Sequence, residues 1–435
     1  MIAIPSGKQA ILGIQMLFVA FGALVLVPLL TGLDPSIALF TAGAGTLLFH
    51  AITGGKVPIF LASSFAFIAP IQFAMKQFGP GATFGALFCA GLVYLIFSGM
   101  ALVGGREMLN RYLPPIVTGP VIMVIGLKLA PVAVGMTRSF DGSGLADGRA
   151  LALAACSLLT AVAAVMFGRK WFSLIPILCG IVVGYLVSLA LGVVDFTPVK
   201  AAAWFQVPWS LAMGKGSFAP PTFDVAAILY MLPVALAPAI EHVGDILAIS
   251  SVTGKDYLKD PGLHRTLLGD GLATSLAGFF GAPANTTYGE NTGVLALTKV
   301  YDPRVMRIAA CFAILLSFFP KIGAAIQTVP SAIIGGISFV LYGMISSVGV
   351  RNVVENQVDF TKSRNLIIAA VILVSALGFN SVGGITVPLG ASYSFTLSGL
   401  AIAAIVGILL NAILPGNDYE FGTDLKGDTA VNFEV

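Results

Sequence analysis

The sequence predicts an all-α polytopic membrane protein, with 14 transmembrane segments in two inverted 7-span repeats. Three observations carry this. Of the 435 residues, 57% are hydrophobic and only 10% are charged, against about 25% charged in a soluble domain. Apolar runs of roughly 17 to 25 residues recur along the whole chain, each close to the length that crosses a bilayer. Lysine and arginine concentrate in alternate connections between these runs, as the positive-inside rule requires. So few charges could not cover a water-facing surface, which excludes a soluble enzyme, a nucleic-acid binder and a disordered chain. A net charge of +3 gives no reason to expect a polyanionic partner. Cys89, Cys156, Cys179 and Cys311 are scattered through apolar stretches and form no CxxC pair. Neither a disulfide framework nor a zinc site is indicated, and no metal or cofactor is expected.

In chain order the spans fall at 9–31, 35–53, 57–75, 82–103, 114–136, 149–167 and 171–193 in the first half. In the second half they fall at 223–250, 265–281, 285–299, 303–324, 330–349, 364–380 and 393–414. The first run is followed by many others, so it reads as a span and not as a cleaved leader. Spans 3 and 10 are short and polar in their first halves, and each opens at a proline, Pro58 or Pro283. The longest break, 195–221, carries Trp204 and Trp209 and reads as an external loop at the interface. With the N-terminus inside, sixteen lysines and arginines lie on the cytoplasmic side and six outside, with Lys128 left within a span. An even span count follows, with both termini cytoplasmic and an acidic, solvated tail after 416.

The two prolines are 225 residues apart, and the same offset sets Ser64 against Gly289 and Phe65 against Glu290. Seven spans per half is odd, so the second half must be inverted. Two interrupted hydrophobic segments at matching positions are the sequence pointer to a transporter binding site.

Ionisable residues within spans cost several kcal/mol at the bilayer centre and mark function by default. Glu241 and Asp245 lie four apart in PAIEHVGDILAIS, on one helix face. Two carboxylates about 6 Å apart in low dielectric disfavour each other and titrate as a unit, which suits proton coupling. His242 points to another face, where packing or hydrogen bonding is expected of it. In GAPANTTYGENTGVLAL, small polar residues lead into Gly289 and Glu290 and then a helix-permissive run. A half-helix starting at mid-membrane offers free backbone N–H groups and a positive dipole end. The matching KVPIFLASSFAFIAP has small residues through Ser64, then Phe65 and Phe67, which can face a flat ring. Tyr342 is a candidate for lining the pocket. Asp270 reads as a structural hydrogen-bonding residue, and Lys128 either snorkels or pairs with a carboxylate. Acidic acceptors, backbone donors and aromatic faces together suit a neutral heterocycle with alternating N–H and C=O groups. An anion would be repelled. No HExxH or GxSxG context supports an enzyme.

NTTYGEN (285–291), EHVGD (241–245), SSFAF (63–67) and DPGLHR (260–265) together resemble the nucleobase–ascorbate transporter family, over about 15–414. Within it the resemblance is to the bacterial branch that carries uracil with protons. The alternatives are a xanthine- or urate-type purine permease and an uncoupled nucleobase facilitator. The resemblance implies short β-strands before the half-helices of spans 3 and 10. It implies a core domain from 1–110 and 222–326, a gate domain from 111–221 and 327–415, and a cytoplasmic tail at 416–435. It implies a homodimer in the lipid bilayer of the cytoplasmic membrane, moving its core like an elevator. Carried over by position, Glu241 and Glu290 are substrate carboxylates, and Phe65 and Gly289 offer backbone amides to the base. Ser64 is a further binding position, Tyr288 and Tyr342 line the pocket, and Asp245 with Glu241 couples protons. Asp245 stands where the uracil branch carries histidine; an aspartate there is usual in the purine branch.

Overall fold

The computed structural model describes residues 7–140, 147–168, 172, 175–208, 220–389 and 393–416. Helix α1 (Gly7–Thr31) is followed by α2 (Pro35–Ile52), where Asp34 accepts from the Ser36 N–H and Pro35 fills the first position. Two glycines at positive φ, Gly54 and Gly55, end α2, and Pro58 then favours extended backbone. Strand β1 (Leu61–Ser63) results, running through a 3₁₀ turn at Phe65–Phe67 into the ten-residue α3 (Ile68–Gln77). Next come α4 (Gly79–Tyr112), α5 (Pro115–Leu127), α6 (Ala130–Thr137), α7 (Gly148–Phe167), α8 (Pro176–Ala190) and the short α9 (Thr197–Ala201).

The second half begins with α10 (Val225–Met231), which continues through a 3₁₀ turn into α11 (Leu236–Thr253). After α12 (Leu263–Phe279), Gly281 at positive φ and then Pro283 repeat the punctuation of the first half. Strand β2 (Asn285–Thr287) and the ten-residue α13 (Gly289–Thr298) follow. The chain continues with α14 (Pro303–Ser317) and α15 (Pro320–Gln327), bent by 86° at their junction, then α16 (Ser331–Glu355) and α17 (Ser363–Ser381). A hairpin of β3 (Ile385–Leu389) and β4 (Tyr393–Leu397) precedes α18 (Gly399–Ile413).

Among the described residues, eight helical segments are long and apolar enough to cross a membrane, and nine if the bent pair counts as one. The 15-residue α8 and α18 are apolar but shorter. Large apolar side chains face outward along α7 and α17, including Leu159, Phe167 and Val374 at 65%, 83% and 72% exposure. In water this would be an aggregating surface; on a multi-pass membrane protein it is a lipid-facing one.

Helix α12 packs on α4 and α2, and α14 packs on α2 and α1. Helix α16 packs on α5, α6, α7 and α8, and α17 on α5 and α18. Hydrophobic exclusion does not drive helices together in lipid, so close backbone approach does. A Cβ on Gly91 would lie 2.5 Å from the Gly271 carbonyl where α4 crosses α12, and one on Gly349 would lie 2.5 Å from the Gly119 carbonyl where α16 crosses α5.

Three sequence expectations need correction. The last span begins at Gly399 and not at 393, because 393–397 is strand β4. Tyr393, Phe395 and Leu397 alternate with Ser394, Thr396 and Ser398, a period of two that the apolar composition masked. Helix α8 is shorter than 171–193, starting at Pro176 and ending before Gly192 at positive φ. The repeat offset is 224, not 225. The Ser64 N–H donates to the Ala284 carbonyl (2.8 Å), and the Tyr288 N–H donates to the Phe60 carbonyl (3.1 Å). These two bonds exchange under a shift of 224, so Phe65 corresponds to Gly289 and Ser64 to Tyr288. Trp209 and the tail after Gly416 lie outside the described residues.

Candidate functional site

Strands β1 and β2 pair antiparallel, with Leu61 opposite Thr287, Ala62 opposite Thr286 and Ser63 opposite Asn285. Three residues each are too few for an independent sheet, so the neighbouring helices hold them. The Asn285 side-chain amide donates to the Thr41 carbonyl of α2 at 2.8 Å, and Thr274 of α12 donates to the Asn285 carbonyl. The Leu61 N–H donates to Thr46 Oγ1 at 2.9 Å. Every residue of both strands is buried.

Each strand aims a helical N-terminus at the other. Ser64 and Tyr288 are the extended residues before the first turns (ψ 125° and 99°), and neither caps its helix with a side-chain bond. The N–H groups of Phe65 and Gly289, the first of each turn, receive no bond from these cap side chains and stand at two positive dipole ends. Among the described residues, polar atoms around these turns are buried without hydrogen-bond partners: Ser64 Oγ, both amide atoms of Asn291, and Thr292 Oγ1. Buried polar groups are normally paired, so the first turn of α13 has unused polar capacity. Asn291 follows Tyr288, Gly289 and Glu290 in the same signature, but an amide carries no charge to mark it in an apolar run.

Phe65 is buried, and its ring meets Tyr342 of α16 edge to face, 5.9 Å between centroids at 76°. Tyr288 is buried, with its hydroxyl 3.8 Å from where a Gly22 Cβ would stand on α1. Gly289 is the first residue of α13, and a Cβ there would lie 2.7 Å from Asp245 Oδ1. Asp245 is 2% exposed, and its Oδ2 accepts from the Thr287 hydroxyl at 2.8 Å. Glu241 is half-buried one turn earlier on α11 and lies in electrostatic reach of Lys128 and Tyr94. Glu290 is the second residue of α13, and its side chain lies outside the described residues.

The structure thus brings Ser64, Phe65, Tyr288, Gly289 and Asp245 to one junction, with Tyr342 against Phe65. Lys128 does not snorkel. Only 7% exposed, it donates to the Ala66 carbonyl at 3.1 Å in the turn that begins at Phe65. His242 and Asp270 are both fully buried and lie 3.3 Å apart, Nδ1 to Oδ2. Thr286 donates to the same Asp270 oxygen at 3.2 Å. Thr287, the partner of Asp245, was not anticipated. A threonine in a strand gives no sign of its partner until the strand is placed against α11.

Two strand-led half-helices meeting among many apolar helices define a multi-pass permease. The pattern of the Permease family matches residues 7–385, and the chain belongs to this nucleobase–ascorbate transporter family. It is 48% identical to the probable uracil permease of Haemophilus influenzae, over 94% of each chain. It is 46% identical to the uracil permease of Bacillus caldolyticus, over 94% of this chain and 93% of that one. Against the uracil permease of Escherichia coli K12 the identity is 41%, over 92% and 90%. The fold is similar to the transmembrane domain of the cyanobacterial bicarbonate transporter BicA, with a TM-score of 0.60, 16% identity and coverage of 94% and 97%. It is also similar to SLC26A9, with a TM-score of 0.63, 14% identity and coverage of 92% and 64%.

Proposed function

We propose that the protein imports uracil, or a closely related pyrimidine base, across the cytoplasmic membrane together with protons. The observation that carries this reading is the paired half-helix junction beside a buried carboxylate, in a chain with extensive identity to uracil permeases. The lactam oxygens accept from the backbone N–H groups at Phe65 and Gly289. The ring N–H groups donate to Glu241 and Glu290. Phe65, Tyr288 and Tyr342 enclose the ring, and Ser64 supplies a further polar contact. Asp245, with Glu241, takes up the proton. A buried carboxylate is costly to move through an apolar interface, so protonation and base binding together favour the crossing state. A ligand shifts such an equilibrium only through its differential binding to the two states.

Fourteen spans belong to this reading. They are the eight long segments, the bent pair, α8, α12, α18 and the two units of strand plus half-helix. Residues 1–110 and 222–326 form the moving core, and 111–221 and 327–415 form the gate, with Phe65 on Tyr342 at their boundary. The packing of α12 with α2 and α4, and of α16 with α5 to α8, supports this division. The protein is a homodimer in the bilayer, with both termini cytoplasmic.

Uptake of labelled uracil into cells lacking their own uptake system tests the reading. Uptake is expected to collapse with a protonophore, to ignore excess xanthine, and to be lost in Glu290→Gln. Strong competition by xanthine would make Asp245 the better guide to the substrate and would overturn the pyrimidine assignment. Uptake indifferent to the protonophore would remove the coupling.

A further inference from the structure

We propose that His242 is a positioning residue for Asp245, acting through the Thr287 hydroxyl and itself held by Asp270. The inference rests on the reading of Asp245 as the coupling carboxylate. Thr287 Oγ1 lies 2.8 Å from Asp245 Oδ2 and 3.3 Å from His242 Nδ1. A hydroxyl has one proton to give. An ionised carboxylate can only accept, so that proton goes to Asp245. The Thr287 oxygen then accepts from His242, which requires the imidazole hydrogen on Nδ1. Asp270 secures that tautomer. Its Oδ2 is 3.3 Å from the same Nδ1, and neither side chain is exposed to solvent.

The chain of donors therefore has one direction: the single Nδ1 hydrogen of His242 is shared between Asp270 Oδ2 and Thr287 Oγ1, each at 3.3 Å, and the Thr287 hydroxyl donates to Asp245. Four segments of the fold meet here. His242 and Asp245 are on α11, Asp270 is on α12, and Thr286 and Thr287 are on β2. On α4, Tyr94 is in electrostatic reach of Asp270 and Glu241. Among the described residues, the other charges nearby are Glu241 on the same helix and Lys128 at the end of α5, and Glu290 follows the Gly289 that faces Asp245 in the first turn of α13. On the α2 side the imidazole meets the apolar Phe49 ring, at 6.4 Å between centroids. With His242 in place, the Thr287 proton is committed to the ionised carboxylate. Without it, the hydroxyl is free to turn and accept, and the protonated acid loses its disadvantage.

The test is an infrared pH titration of the purified protein in lipid nanodiscs, following the protonated-carboxyl band that disappears in Asp245→Asn. His242→Leu is expected to raise the midpoint of that band by about one pH unit, the usual worth of a hydrogen bond to a charged group. His242→Asn, whose amide donates from near the Nδ1 position, is expected to restore it. Thr287→Val keeps the shape of the strand residue and is expected to shift the midpoint in the same direction, which covers the case of a poorly folded His242→Leu. An unchanged midpoint in Thr287→Val, or in a folded His242→Leu, overturns the proposal. Protonophore-sensitive uracil uptake by the wild type is measured in parallel. Its absence would sink the transport reading, while the infrared midpoints decide the role of His242 separately.

Discussion

At the scale of single residues, the site depends on what is missing from Gly289 as much as on what Asp245 supplies. A methyl group at 289 would stand 2.7 Å from Asp245 Oδ1, closer than real Cβ contacts allow. Either the carboxylate or the first turn of α13 must move. Overpacking of this kind costs about 1–3 kcal/mol, so Gly289→Ala is expected to lower uracil uptake by roughly ten-fold or more. Gly293→Ala, one turn further along the same helix with open space around it, is the control and should transport normally. Equal uptake by the two variants would contradict the steric argument. The residues readable in the sequence at this scale were those whose chemistry conflicts with their surroundings. Glu241, Asp245 and Asp270 stood out because acids are rare in apolar runs. Thr287 and Asn291 did not, since hydroxyls and amides are tolerated anywhere in a chain. His242 does not point away from the acid pair as expected, since positions three apart share a helix face and both His242 and Asp245 meet the Thr287 hydroxyl; nothing in the sequence says that this face also meets Asp270.

At the scale of elements, the half-helices could be read because their punctuation is local. Glycine at positive φ, then proline, then small extended residues occur twice, once around Gly55 and Pro58 and once around Gly281 and Pro283. The one-residue error in the offset arose because the prolines do not occupy equivalent places. Equivalence is set by the pairing of β1 with β2, and register is a long-range property. The hairpin before α18 escaped for the opposite reason, since its residues are apolar enough to extend a span. The short strands also explain where the junction gets its rigidity. Asn285 ties β2 to α2 through the Thr41 carbonyl, a side-chain bond across 244 residues of sequence. Truncation in Asn285→Ala removes a buried neutral hydrogen bond worth about 0.5–1.5 kcal/mol. Thermal unfolding of the purified protein in nanodiscs should show a midpoint lower by a few degrees. An unshifted midpoint would mean that the strands are held by their pairing and the surrounding packing alone.

At the scale of the whole molecule, charge distribution and contact geometry meet independently. Lys56, between α2 and β1, forms an ion pair with Asp260, between α11 and α12. Lys321, at the bend between α14 and α15, donates to the Val199 carbonyl and lies 5.0 Å from the Trp204 ring centroid. Each contact joins connections that the lysine and arginine count puts on one face, the first inside and the second outside. The pairs themselves contribute little, since an exposed ion pair is worth about 0–1 kcal/mol; their value is topological. Inversion makes a sharper demand. Under the 224-residue offset, the connection bearing Lys56 corresponds to the one beginning at Phe279 and Phe280, which carries no basic residue. If the halves are inverted, these equivalent connections open on opposite faces of the membrane. Lys56→Cys and Phe279→Cys, each in a cysteine-free background, separate the possibilities. Phe279 is 54% exposed, and the Lys56 side chain is 47% exposed, so both positions are open to a reagent. In intact cells a membrane-impermeant maleimide should label the cysteine at 279 and reach the one at 56 only after permeabilisation. Labelling of both from outside would make the halves parallel, and two half-helices in parallel repeats could not bring their N-termini together from opposite sides of the bilayer.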